Sequence, residues 1–184
     1  AMNSIASGFC ILFLFWTITH LSRRIFTREG NELSVAQSVL VLGAGAVGAL
    51  SYAYTDTFWF SAVEGEVYAL SSMFTALVVW LMLKWEENAD RPTAMRWIIL
   101  IAYLMGLSIG VHILNLLTIP ALVMIWFFRR YEYRTLWDYI LKMALALVVS
   151  LLILGTINGL IIPYTVAVAE NGEKYNTGHY SAEG

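Results

Sequence analysis

The sequence predicts an all-α polytopic membrane protein, a bundle of about six transmembrane helices. Three observations carry that prediction. Of 184 residues, 59% are hydrophobic and only 13% charged, against about 45–50% apolar and about 25% charged in soluble domains. Mean hydropathy is +0.69. The apolar residues fall in runs long enough to cross about 30 Å of hydrocarbon, separated by short polar segments.

Taken in order, the first run covers about residues 4–22 and stops at Arg23 and Arg24. Its positive charges follow the apolar stretch, whereas a signal peptide carries them ahead of it, so a span is expected. The second covers about 35–54 and is rich in small residues, VLGAGAVGAL. The third covers about 64–83 and ends at Lys84 and the run EENADR. The fourth and fifth, about 95–110 and 113–128, are separated only by GVHILN. The sixth covers about 141–163 and is expected to end near Pro163. Before it, YEYRTLWDYILK places Leu136, Tyr139 and Ile140 at helical spacing, as an interfacial segment would. Residues 1–163 thus form one transmembrane domain, and the polar, Gly-rich residues 164–184 a loop-like tail.

Hydropathy alone leaves residues 97–128 open to one kinked helix or two. Charge favours two. Lys and Arg concentrate in cytoplasmic loops, and six spans place every one of them except Lys174 on one side. Merging the fourth and fifth runs would strand Arg129, Arg130, Arg134 and Lys142 opposite the rest. The expected topology is multi-pass in a bacterial inner membrane, with both ends of the segment extracytoplasmic. The net charge of −2 and the lack of a basic stripe give no sign of a nucleic-acid partner, and the single Cys10 forms no intrachain disulfide.

The outer-face stretch FWFSAVEGEVYAL holds two acids, Glu64 and Glu66, in apolar surroundings. In a helix they would diverge by about 200°; in an extended entry they would share a face. They read either as first-turn acids at the positive end of a helix dipole or as ligands for a cation, a sugar hydroxyl or an acceptor. Asp56 is the third acid at that end. His112 and Asn115, three apart, would share a helix face, closing the hairpin or hydrogen-bonding a phosphate or sugar. Gly106 and Gly110 form GxxxG, and Gly43, Gly45 and Gly48 a similar small-residue face. Tyr52, Tyr54, Phe58, Trp59 and Phe60 form an aromatic belt at the outer level, a surface that would also stack on a sugar ring. Trp80, Trp85 and Trp97 form a second belt at the inner level, with His20 an interfacial residue there. No metal-ligand or P-loop spacing occurs, nor a nucleophile elbow. No cofactor is indicated; a divalent cation is left open.

Three stretches carry a family resemblance: ASGFCILFLFWTITHLSRR, DTFWFSAVEGEVYALSSMFTALVVWLMLKWEE and YLMGLSIGVHILNLLTIPAL. They resemble the bacterial membrane family DUF2723, common in Bacteroidetes and related to eukaryotic transmembrane protein 260. That group is similar to protein O-mannosyltransferases of the GT-C fold. The resemblance implies a sugar donor on polyprenyl phosphate and a protein Ser or Thr acceptor on the outer face. It also implies that Glu64, Glu66 and Tyr68, in the EGEVY block, and His112 and Asn115, in GVHILN, line the outer cavity as substrate-binding residues. The family's main catalytic acid lies in a first outer loop that nothing here matches. The segment is therefore expected to be an internal fragment, inactive alone. Two other classes remain. A transporter would need a midplane charge, which no helix centre carries. A non-catalytic scaffold would tolerate replacement of Glu64 and Glu66.

Overall fold

The computed structural model describes residues 2–27, 32–63, 67–131 and 135–170, and Glu64 and Glu66 lie outside that set. The described residues hold no strand. The chain divides into two compact units, residues 1–130 and 131–184.

In the first unit, α1 (Met2–Phe26) ends on Arg23 and Arg24, cations that suit the negative end of the helix dipole. Helix α2 (Val35–Ala53) begins with a capping box: the Gln37 N–H donates to Ser34 Oγ at 3.2 Å, and the Ser34 N–H donates to Gln37 Oε1 at 2.9 Å. A short helix, α3 (Asp56–Val63), follows with Asp56 in its first turn. Helix α4 (Tyr68–Glu87) is central, packing against α1, α5 (Ala94–Val111) and α6 (Ile119–Arg130). Accordingly it supplies much of the core, including Ala69, Val78, Leu81, Met82, Leu83 and Trp85.

The α1–α2 contact is built on two glycines. A Cβ at Gly48 would come within 2.7 Å of Ile18 Cδ1, and one at Gly45 would collide with Thr19 and Phe15. The expected GxxxG face does not materialise, because a Cβ at Gly106 or Gly110 would meet nothing within 4 Å. Gly43 is equally open, on the far side of α2 from Gly45.

The chain reverses after α5. His112 is extended (φ −157°, ψ 125°) and a 3₁₀ helix, Ile113–Thr118, leads into α6. Asn115 in that turn bonds α4 near its start, at Ser71 and Thr75. At the other end of α6, the Arg129 Nε–H donates to the Glu86 carbonyl at 3.2 Å and the guanidinium pairs with Asp90. So α6 runs parallel to α4, which rules out a single helix over 97–128. At 12 residues α6 is too short to span alone. With about 18 Å from α6 and about 12 Å from the six-residue 3₁₀ segment, the pair covers about the hydrocarbon thickness. Among the described residues, five helices are long and apolar enough to span by themselves: α1, α2, α4, α5 and the helix from Leu136.

In the second unit, α7 (Leu136–Thr156) continues through a π-helical turn, Ile157–Ile161, and helical residues up to Glu170. Two expectations are corrected here. From Leu136 onward the stretch expected along the interface is instead the beginning of this helix: Thr135 caps it by accepting the Asp138 N–H, and Lys142 pairs with Asp138 one turn on at 2.7 Å. Nor does Pro163 end the helix. Proline lacks an N–H and crowds the carbonyl four residues back. Just before it, the Ile162 N–H reaches the Ile157 carbonyl, five residues back, so the register has already slipped into a wider turn. The rest of the tail, 171–184, lies outside the described residues.

Candidate functional site

Helices α1, α4 and α6 carry their basic residues to one end of the first unit, the basic end. The opposite end holds the turn after α5, with α3 and the start of α4. Two cavities open toward that opposite end. One, of about 570 Å³, is lined by Tyr52, Thr55, Thr57, Phe58, Phe60, Ser61, Tyr68 and Ser72. The other, of about 410 Å³, reaches deeper between α1, α2 and α4 and is lined by Cys10, Thr17, Ser71, Ser72, Thr75 and Asn115, among others. Tyr52 and Ser72 belong to both walls. Together they form a slot lined by hydroxyls and aromatic rings, with no ionised side chain among the described residues of either wall. Such a lining suits a polyhydroxylated or amphipathic ligand, which takes hydrogen bonds from hydroxyls and stacking from rings.

Of the expected site residues, Tyr68 lines the outer cavity and Asn115 the deeper one. Glu64 and Glu66 fall between α3 and α4, outside the described residues, and Ser61 and Tyr68 of the outer cavity flank them in sequence. His112 sits against Tyr68, ring centroids 5.2 Å apart. His112 and Asn115 do not share a helix face. The helix stops at His112, and the tighter 3₁₀ turn that follows sends Asn115 inward while His112 stays beside Tyr68.

Asn115 is 3% exposed and has three side-chain bonds. Its Oδ1 accepts from Ser71 Oγ at 2.6 Å and from Thr75 Oγ1 at 3.2 Å, and its Nδ2 donates to the Ser108 carbonyl at 2.9 Å. Its backbone N–H donates to the His112 carbonyl. This residue closes the hairpin: it ties the turn to α4 and α5 while its carboxamide faces the slot.

Several expected belt residues are placed differently. Tyr54, Trp59 and Phe60 are exposed as anchors would be, but Phe58 is buried under Tyr52, ring centroids 4.7 Å apart. Trp85 is buried in the core, and Trp80 packs on Trp16 and Phe13. His20 is held inside, its side chain only 9% exposed. In each case a neighbouring helix covers a ring that a single-helix reading leaves facing lipid.

A family model described as Protein O-mannosyl-transferase TMEM260 N-terminal domain matches residues 1–135. The chain belongs to this family. No curated protein and no solved structure matches it. The TMEM260 N-terminal domain match covers the whole first unit, with both cavities, and stops just before α7. Within this TMEM260-type domain, sequence reasoning missed the slot's hydroxyls. The only available signal was the spacing of Ser71 and Thr75, one turn apart on an otherwise apolar helix. Among the described residues, no group of three His, Cys, Asp or Glu side chains stands close enough to hold a metal ion.

Proposed function

We propose that the chain is the membrane core of a GT-C-like protein O-mannosyltransferase of the DUF2723 type, working in a bacterial inner membrane. In this reading the basic end faces the cytoplasm, as the bias of Lys and Arg requires, and the hydroxyl-lined slot opens on the extracytoplasmic side. The observation that carries the proposal is the slot itself, within the part of the chain that belongs to a protein O-mannosyltransferase family. Its aromatic and hydroxyl walls fit a sugar and the first isoprene units of a polyprenyl-phosphate donor.

Transfer would proceed as follows. A carboxylate takes the proton of an acceptor Ser or Thr hydroxyl, whose oxygen bonds to the sugar C1. The bond from C1 to the phosphate oxygen breaks, and the polyprenyl phosphate leaves with the electron pair. Glu64 and Glu66 are carboxylates that adjoin the slot in sequence and would hold donor or acceptor there, while the general base of such a transfer contributes about 10²–10⁴-fold. Tyr68, His112 and Asn115 would place donor and acceptor by hydrogen bonding. Groups that stabilise the departing phosphate work best when pre-aimed at the developing charge, and His112 beside Tyr68 is the nearest such group.

The test is sugar transfer by the protein in membranes, from a polyprenyl-phosphate mannose donor to secreted-protein peptides. Glu64→Gln and Glu66→Gln are compared with wild type at equal folded protein. Loss of at least about 100-fold in one of them, the scale of a general acid–base group, would place that acid in the active site. Transfer that survives in both variants would remove the two acids from the reaction.

A further inference from the structure

At the basic end, a third cavity of about 730 Å³ opens between α1, α2 and α4. That size is in the range of about 300–1,000 Å³ usual for small-molecule sites. Its floor is apolar: Trp16 and Trp80 lie with ring centroids 5.1 Å apart, and Val41 and Leu42 close the α2 side. Its mouth is cationic. Two of the three cations are already neutralised, Arg24 by Glu86 at 2.7 Å and Lys84 by Glu87 at 2.9 Å. Arg23 has no acid partner among the described residues. His20, in the same wall, turns Nδ1 to Glu87 Oε1 at 3.3 Å, and its buried Nε2 has no hydrogen-bond partner there. With Nδ1–H turned to Glu87, the unmet Nε2 is a buried lone pair that lacks a donor, such as a headgroup hydroxyl.

We propose that this cavity binds the phosphodiester headgroup of an anionic glycerophospholipid, with Arg23 as the recognising charge and the Trp16–Trp80 floor taking the first part of an acyl chain. Basic pockets between transmembrane helices are suited to anionic headgroups. A guanidinium meets a phosphate with two parallel hydrogen bonds, and indole rings favour the headgroup level. The charge balance sets the class. Among the described residues, with Arg24 and Lys84 already paired, Arg23 is the one cation of the lining left uncompensated, which matches a monoanionic diester rather than a polyphosphate. A zwitterionic headgroup would bring its own cation against Arg23. The site stands apart from the proposed glycosyl transfer and does not depend on it.

Native mass spectrometry of the full chain in detergent, titrated with phosphatidylglycerol or phosphatidylcholine, tests this directly. The first phosphatidylglycerol is expected to bind several-fold tighter than the first phosphatidylcholine. Arg23→Gln should weaken it about fivefold, the effect of roughly one basic residue at an anionic headgroup. Arg23→Lys should keep most of the affinity, and Arg91→Gln, at the same end but outside the cavity, should change nothing. Arg23 is exposed, so thermal unfolding of these variants should match wild type. Equal binding of the two lipids overturns the proposal, as does an equal effect of Arg23→Gln and Arg91→Gln. Displacement of the lipid by millimolar inorganic phosphate also overturns it and assigns the cavity to a free anion.

Discussion

At the basic end of the α1–α4 pair, the side chains of the described residues are joined by ion pairs, Arg24 to Glu86, Lys84 to Glu87 and Arg129 to Asp90, with His20 Nδ1 turned to Glu87. At the other end they are joined by neutral hydrogen bonds centred on Asn115. The two arrangements follow from what water reaches. Arg24 and Glu86 are 44% and 18% exposed as side chains, so their attraction is weakened by solvent and amounts to about 0–1 kcal/mol. Asn115 is 3% exposed, and a buried polar group deprived of its partner costs about 1–3 kcal/mol. The conspicuous charges therefore contribute little to holding the helices together, and an inconspicuous amide contributes more.

The largest stability effect expected from this contrast comes from Asn115→Leu. The change removes both bonds from the turn to α4 and the bond to Ser108. Ser71 and Thr75 can turn their hydroxyls back to their own helix, and the Ser108 carbonyl keeps its bond from the His112 N–H. The loss is then near the middle of the range, about 2 kcal/mol, since bonds between membrane helices average about 0.6 kcal/mol and reach about 1.7. Thermal unfolding in detergent measures it. A loss below about 0.5 kcal/mol, within the range of an ordinary surface substitution, would show that packing alone closes the hairpin.

How much of this was legible beforehand depends on which interaction carries each feature. Spans held by hydropathy were readable: α2 and α5 begin and end within about a residue of their expected bounds. The reversal after Val111 was readable from charge, because Arg129 and Arg130 had to rejoin the other cations. The 3₁₀ entry to α6 was not, since Ile113–Thr118 is as apolar as a helix and only the bonds of Asn115 to α4 tighten it. The passage of α7 through Pro163 was hidden as well, because a proline inside a helix reads as a stop unless the π turn before it is seen. Tyr68 and Asn115 were picked out from the sequence, but the slot they border was not. Its hydroxyls come from α1, α2, α3 and α4, and a Ser or Thr on an apolar helix gives no sign of the company it keeps. Acidic and aromatic residues drew the eye instead, and Phe58 and Trp85 proved to be core.

A second comparison asks whether packing, rather than charge, holds the basic end. Gly45 faces Thr19 and Phe15, the turn of α1 just before His20, with no room for a Cβ. Overfilling such a contact costs about 1–3 kcal/mol, so Gly45→Leu should destabilise by that amount. Gly43, two residues away, points into open space. There Gly43→Ala should be neutral or stabilising by up to about 1 kcal/mol, the helix-propensity difference between the two residues. Equal effects at the two positions would mean that α1 and α2 are not in close contact, and the floor of the basic cavity would lose its support.

The smallest effect is expected at Arg24, and salt separates it from the others. Arg24→Gln breaks the pair with Glu86 and should cost no more than about 1 kcal/mol at low ionic strength. Between about 0.01 M and 1 M salt the screening length falls from about 30 Å to about 3 Å. The difference between Arg24→Gln and wild type should therefore fade across that range. The Asn115→Leu difference should persist, because a neutral bond in a dry interior is not screened. Unfolding temperatures of wild type and both variants at the two salt concentrations decide the matter. A salt-independent cost at Arg24 would mean that its guanidinium acts through packing of its methylene stem over α4, and the basic end would then be held by contact, as the α1–α2 face is at Gly45.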